Sequence, residues 1–321
     1  MQIWTIFWEI FSIFIYVFSG IIIFIFLFLL IFRLFKIFSL KFKSQKVKKG
    51  ELIKKKMFQT SDAYDLRWYG EVNSDSKYII LAIHDLLRTR NDFENLVNWL
   101  QKNKYKDFSL VSFDQRSCGE NLLEKNKNLG ALISDIEEII TELSEKFKNQ
   151  KLILLGEGFG SALAAYFSKN DNVEKIIMSS LRLNFTYKKS FSFYIKLWFG
   201  VAFKINTLLF QNINGLDLTD DSTYANKLED ENNKNGSINI REYFQFKKIT
   251  KKIVKNISNS NSKIDLILPN NDFYCSRKKI VKLINKLDKS KYNLDTFKDK
   301  KHFMLNSVKT SEIFEKIIKS V

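Results

Sequence analysis

The sequence is poor in the residues that staple, kink or chelate. Proline occurs once in 321 residues, cysteine twice and histidine twice. Cys118 and Cys275 lie far apart with no histidine cluster beside them, which excludes a disulfide framework and a zinc site of the usual spacing. With His84 and His302 as the only imidazoles, any histidine chemistry must use one of those two. No phosphate-binding glycine loop, metal cluster or internal repeat stands out, so neither a cofactor nor a metal is expected. Acid is scarce against base: 35 Asp and Glu face 52 Lys and Arg, a formal charge of +17. The 30 phenylalanines accompany abundant Lys, Asn and Ile, the mark of an AT-rich coding bias that raises charge without selection for a polyanion. No aromatic–basic recognition motif accompanies the lysines, and a nucleic-acid partner is not expected.

What the chain has in quantity is apolar length. Phe11 to Phe32 is almost uninterrupted Ile, Phe, Leu and Val. At about 1.5 Å per residue it reaches roughly 30 Å, the depth of a bilayer core. No basic residues precede it and no small-residue cleavage site follows, so it does not read as a cleaved signal. Trp4, Trp8 and Tyr16 suit an aromatic belt, with Glu9 near the headgroups. The other flank carries Arg33, Lys36, Lys41, Lys43, Lys46, Lys48, Lys49, Lys54, Lys55 and Lys56. These features predict a single-pass anchor over 1–35 in the cell membrane, with the N-terminus outside. A basic juxtamembrane segment over 36–56 is expected to lie on anionic lipid, and the remainder to be cytoplasmic. Membrane lipids are thus expected partners; nothing in the sequence names a protein partner.

Past Lys56 the periodicity changes. Leu66–Val72 alternates like a strand, and Tyr78–Ile83, Ser109–Phe113, Leu152–Leu155 and Lys175–Met178 are short apolar runs separated by helical patterns. After Ser180 the rhythm breaks until about Asn256, then resumes through Ile264–Leu268, Ile280–Leu287 and Tyr292–Phe297 to a closing helix from about Thr310. The fold class is therefore α/β: a mostly parallel sheet with helices on both faces, interrupted by a helical insertion. The boundaries predicted are 57–182 and 257–321 for the two parts of the core and 183–256 for the insertion.

Four stretches resemble the α/β-hydrolases of the monoacylglycerol lipase and lysophospholipase group (the serine aminopeptidase S33 type). Ile83-His84-Asp85 stands where that family has His-Gly, and Phe113-Asp114-Gln115-Arg116-Ser117-Cys118-Gly119 is similar to its Tyr-Asp-x-Arg-Gly-x-Gly turn. Leu155-Gly156-Glu157-Gly158-Phe159-Gly160 takes the place of the nucleophile elbow Gly-x-Ser-x-Gly. Asp272 and His302 fall at the acid and base positions, in the family's chain order. The resemblance implies an α/β-hydrolase fold over nearly everything after residue 56, with the insertion as a cap.

It also implies a site in which serine attacks an ester, histidine takes its proton and aspartate orients the imidazole. Here Gly158 occupies the serine's position and cannot form an acyl-enzyme. The oxyanion hole would use the N–H of Phe159 and the loop at Asp85 and Leu86, where Asp85 places negative charge against the charge that must develop. The elbow's backbone conformation costs a side-chain-bearing residue about 1–3 kcal/mol, a cost glycine escapes. Ser161 is expected to bond back to the helix, Cys118 to be a buried inert thiol, Glu157 to be solvated or ion-paired, and His84 to be structural as in the family. The insertion opens with an apolar stretch from Phe191 to Phe210, predicted as a cap helix whose Trp198, Phe199 and Phe203 line a lid or ligand pocket. Leu216–Ser237 reads as a polar loop, and Arg241-Glu242-Tyr243-Phe244 resembles the family's last cap helix. The expectation is a catalytically degenerate family member that binds a lipid, an acyl ligand or a partner. The alternative is an active ester or lipid hydrolase using a displaced nucleophile, or water activated by Asp272 and His302.

Overall fold

The structure is a computed structural model that describes residues 2–42, 46–53, 56–121, 123, 128–186, 189–211 and 213–321. Lys43, Lys54 and Lys55 of the basic flank lie outside the described residues. Helix α1 (Gln2–Phe38) is followed by β1 (Glu51–Ile53), β2 (Met57–Gln59), β3 (Asp65–Tyr69) and β4 (Tyr78–Ile83). The core continues through α2 (Glu94–Lys102), β5 (Phe108–Phe113), α3 (Leu129–Lys146), β6 (Lys151–Glu157), α4 (Phe159–Tyr166) and β7 (Val173–Ser179). The insertion holds α5 (Phe191–Ala202), β8 (Leu208–Phe210), α6 (Gly215–Leu218), α7 (Ser222–Asn235), β9 (Ser237–Asn239), α8 (Ile240–Lys251) and α9 (Ile253–Ser258). β10 (Lys263–Pro269), α10 (Arg277–Ile284), β11 (Tyr292–Phe297) and α11 (Ser311–Lys319) complete the chain.

Among the described residues nine strands form one sheet, ordered β1-β2-β3-β5-β4-β6-β7-β10-β11. The strands from β5 to β11 pair in parallel, and β1, β2 and β3 extend that edge antiparallel. Strands such as Ile79–Ile83 and Leu152–Leu155 are apolar at every position because both faces are covered. α3, α4 and α8 pack on one face, and α2 and α11 on the other. Each fully buried Leu, Ile or Phe in these layers contributes about 1.5–3 kcal/mol. The C-terminal ends of β4, β6, β7 and β10 converge on one edge, where this class of sheet places its ligands.

α1 is long and apolar enough to cross a membrane, and its most apolar window is unburied. Its 37 residues extend about 55 Å, more than a bilayer core requires. The surplus is used at its foot. Ile37 is fully buried, the Phe38 ring meets Phe244 edge-on at 5.0 Å, and Arg33 donates to the Ala202 carbonyl at 2.9 Å. Lys248 Nζ donates to Phe38 O at 2.8 Å and Gln245 Nε2 to Ser39 O at 2.6 Å, supplying donors to the helix's orphan carbonyls. The helix is thus seated directly on α8.

Several expectations need correction. The segment 36–56 is not wholly a lipid-facing linker: β1 joins the sheet, Lys48 pairs with Glu51 at 2.6 Å, and Lys49 pairs with Glu145. Leu216–Ser237 is largely helical. Asp221 caps α7 by accepting from Tyr224 N at 2.9 Å, and Ala225 and Leu228 bury one face that the many Asn and Asp concealed. The apolar run from Phe191 breaks at Phe203, and Leu208–Phe210 pairs as a strand with β9.

Gly160 lets α4 approach the sheet, since a Cβ there would fall on the Ile83 carbonyl. Gly160→Ala is therefore expected to cost at least about 2 kcal/mol, measured by denaturant unfolding of the detergent-solubilised chain. A loss below about 0.5 kcal/mol would contradict this packing.

Candidate active site

Gly158 lies between β6 and α4 with φ 58° and ψ −114°, a conformation that only glycine adopts without strain. The turn between β6 and α4 thus holds a residue in a left-handed conformation, and that residue carries no side chain. The carboxylate of Asp85, at the end of β4, fills the space above it. Asp85 Oδ1 accepts from Phe159 N at 2.5 Å, at the N-terminus of α4, and Oδ2 accepts from Arg182 at 2.6 Å. A Cβ on residue 158 would overlap the Asp85 carboxyl group. Asp85 thus occupies both the room that a side chain at residue 158 would need and the N–H at the start of α4. Leu86, the other expected member of that loop, is buried, and its carbonyl faces Arg182.

Asp272 and His302 come together as their chain order predicts. His302 Nδ1 is 2.9 Å from Asp272 Oδ2, while Asp272 Oδ1 accepts from the N–H groups of Tyr274 and Cys275. His302 Nε2 does not meet a hydroxyl. It stands 3.4 Å from Asp85 Oδ2, an ion-pair contact long for a hydrogen bond. Burial opposes charge on His302, but the two carboxylates outweigh it and push its pKa up to about 9. Burial likewise opposes charge on Asp85, and Arg182 and His302 overcome it to hold that carboxyl well below the usual range. The site is a row of acidic and basic groups in alternation: Asp272, His302, Asp85 and Arg182. An imidazolium has no lone pair with which to take a proton.

Arg182, just past β7, was not among the residues singled out from sequence. Its exposure is only 1%. It also donates to Phe185 O at 2.7 Å and Gln211 Oε1 at 2.5 Å, with its guanidinium 3.8 Å from the centroid of the Tyr274 ring. The available signal was a pair of opposite charges, Asp85 and Arg182, each just beyond a buried apolar strand. A void of about 10 Å³ beside Arg182, Gln211, Tyr274 and Phe303 is barely room for one water.

The other candidates separate by position. His84 Nδ1 lies 2.8 Å from Asp85 O and its Nε2 accepts from Gln115 N at 3.0 Å, tying together the turns after β4 and β5. Burial lowers its pKa. Ser161 Oγ is shared between Gly156 O and Ser179 O, both at 2.8 Å. Cys118 is half-buried rather than fully enclosed, because its turn lies near the surface. Glu157 is neither solvated nor ion-paired among the described residues: it is fully buried, and desolvation raises its pKa well above the usual value. Trp198, Phe199 and Phe203 do not line the cavity found beneath the insertion. Trp198 is 68% exposed, because α5 turns Phe193 and Gly200 inward against its neighbours and these rings outward. That cavity, about 760 Å³, is bounded by Phe193, Lys196, Leu209, Phe210, Phe273 and Tyr274 among others. Among the described residues no group of His, Cys, Asp and Glu is arranged to hold a metal ion.

The family described as serine aminopeptidase, S33 matches residues 74–308, which include the elbow, Asp85, Arg182, Asp272 and His302. The chain belongs to that family. Solved structures agree on the fold. A monoacylglycerol lipase of Paleococcus ferrophilus superposes with a TM-score of 0.67 at 15% identity, covering 79% of this chain and 97% of its own. A soluble variant of the Saccharomyces cerevisiae monoglyceride lipase, in complex with a substrate analog, gives 0.65 at 14% identity, covering 88% and 96%. A lipase-esterase related protein from Clostridium acetobutylicum gives 0.57 at 20% identity, covering 80% and 99%. No curated protein matches the sequence. The chain is an α/β-hydrolase of lipase and esterase architecture, preceded by an apolar helix.

The raised pKa of His302 has a consequence for stability. An imidazolium favoured by the fold stabilises fully below the unfolded pKa near 6.5, and that contribution is lost as pH rises through about 9. The thermal unfolding midpoint of the detergent-solubilised chain should fall across that interval, and His302→Gln should remove this part of the fall. An unchanged pH slope in His302→Gln would show that the buried imidazolium is not its source.

Proposed function

We propose that this protein is a catalytically silent member of the S33 family, anchored in the membrane by α1 and retained to bind a lipid or acyl chain beneath its cap. The observation that carries the first part is the Asp85 carboxylate on the Phe159 N–H, where a reacting ester would place its oxygen. A fixed negative charge there repels the charge that must develop, so the usual donor cannot stabilise a transition state. The missing side chain at Gly158 and the raised pKa of His302 act in the same direction. The reading as an active hydrolase through displaced serine or activated water has less support, because Ser161 is committed to two carbonyls.

Binding is supported by the cavity of about 760 Å³, within the range of small-molecule sites. Its apolar walls suit an acyl chain, and Lys189 and Lys196 on its lining suit an anionic head. Tyr274 stands between this cavity and the buried charges, so a ligand could be held without reaching Asp85. The monoacylglycerol lipases that share this fold are a precedent for a lipid ligand. The basic flank of α1 favours a single pass through the cell membrane, with the N-terminus outside and the folded domain in the cytoplasm.

The full-length protein in detergent should show no labelling by a fluorophosphonate and no hydrolysis of monoacylglycerol, lysophospholipid or short-chain ester. Gly158→Ser alone should stay unlabelled, because its Cβ meets Asp85. Asp85→Gly with Gly158→Ser should label measurably if removal of the carboxylate frees the elbow. Labelling or turnover by the unaltered protein would overturn the silent reading. Mass spectrometry of lipids co-purified from membranes should find an acyl ligand, diminished in a Leu209→Trp variant that fills the cavity.

A further inference from the structure

The foot of α1 frames a second cleft, remote from Asp85 and His302. It encloses about 610 Å³ between Phe35 and Phe38 of α1, Tyr166 at the end of α4, and the cations Lys41, Lys248 and Lys252. Its two kinds of wall are distributed along the helix. Phe35 is 77% exposed on the side of α1 that leads toward the long apolar stretch, whereas the lysines stand where the chain leaves the helix and on α8 and the residue after it. The side chains of Lys41 and Lys252 make no hydrogen bond or ion pair among the described residues, and no carboxylate lines the cleft. This contrasts with Lys48 and Lys49, which the domain's own acids neutralise. Lys248 spends one donor on Phe38 O and keeps two ammonium hydrogens.

We propose that this cleft holds one anionic phospholipid of the bilayer that α1 enters. Its phosphate lies among Lys41, Lys248 and Lys252, and its acyl chains run along Phe35 and Phe38 toward the apolar part of the helix. Charge complementarity and the continuity of the apolar wall with α1 identify the occupant. A soluble anion would satisfy the lysines but leave the phenylalanines exposed, and a zwitterionic lipid would bring no net charge to neutralise the cations. Because Lys248 also fastens the foot of α1, the bound headgroup would brace the helix against the domain. The proposal rests on α1 lying in a bilayer, but not on the fate of the hydrolase site.

The experiment uses the full chain reconstituted into vesicles of phosphatidylcholine alone and of phosphatidylcholine mixed with phosphatidylglycerol. Carbonate-resistant association with phosphatidylcholine vesicles reports insertion of α1 by itself. Failure there overturns both the membrane reading and the cleft. Native mass spectrometry of the inserted protein is then expected to show phosphatidylglycerol retained above its share of the vesicle. Lys41→Gln with Lys252→Gln, which removes no internal bond, should lower that retention by at least about fivefold. The exposed pair Lys102→Gln with Lys282→Gln, which removes the same charge elsewhere, should lower it less than twofold. Equal retention by the two double variants, or no enrichment despite normal insertion, overturns the cleft while leaving the membrane reading intact.

Discussion

A carboxylate buried at the centre of a domain must be neutralised, and the demand made by Asp85 organises what surrounds it. The helix N-terminus at Phe159 satisfies one oxygen, and Arg182 and His302 face the other. Each cation is in turn held by a further group: His302 by Asp272, and Arg182 by Phe185, Gln211 and the Tyr274 ring. Removing one member would leave an uncompensated charge in a medium that penalises it by several kcal/mol, so the row stands or falls together. Asp85, Arg182, His302 and Asp272 are thus bound to one another in a single buried row.

The insertion takes part in that balance. Gln211 precedes α6 and α7 and reaches the buried guanidinium, while Arg88, next to the Asp85 loop, bonds to Asp92 and to Glu231 of α7. Tyr224 and Phe303 flank the Arg88 guanidinium, each with a ring centroid 5.5 Å away. The segment over the site is therefore locked by charge as well as by apolar packing. At the opposite side, α8 carries the capping box of Asn239 and Glu242 and supports the foot of α1 through Gln245 and Lys248. One inserted segment thus joins the apolar helix α1 to the groups that hold Arg182 and Arg88.

Most of the core was legible because its signals are local. Buried parallel strands are continuous apolar runs, and the glycines of the elbow are needed wherever a helix must approach a strand so closely. The pairing of Asp272 with His302 followed from chain order, since the fold fixes which loops meet. Arg182 was missed because its partner lies 97 residues away, and no local pattern relates the end of β7 to the end of β4. In sequence α7 reads as a loop because Asn and Asp are weak helix formers, while Leu228 and Ala225 acquire their value only by burial against neighbours. The outward position of Trp198 and Phe199 is not legible in sequence because a helix that is apolar all round does not reveal its rotational phase.

By itself the sequence determined the apolar span, the alternation of strands and helices, and the absence of a hydroxyl at residue 158. These are properties of composition and short-range periodicity, which no later contact can revoke. Only the tertiary structure decided how the charges were used. It placed the Asp85 carboxylate over Gly158, brought Arg182 to it, and drew Lys48 and Lys49 onto the domain's acids. It also carried Lys248 and Lys252 to the foot of a helix some two hundred residues earlier in the chain. The reason is physical: apolar burial is non-directional and can be read from pattern, whereas a charge has meaning only through the partner that folding sets a few ångströms away.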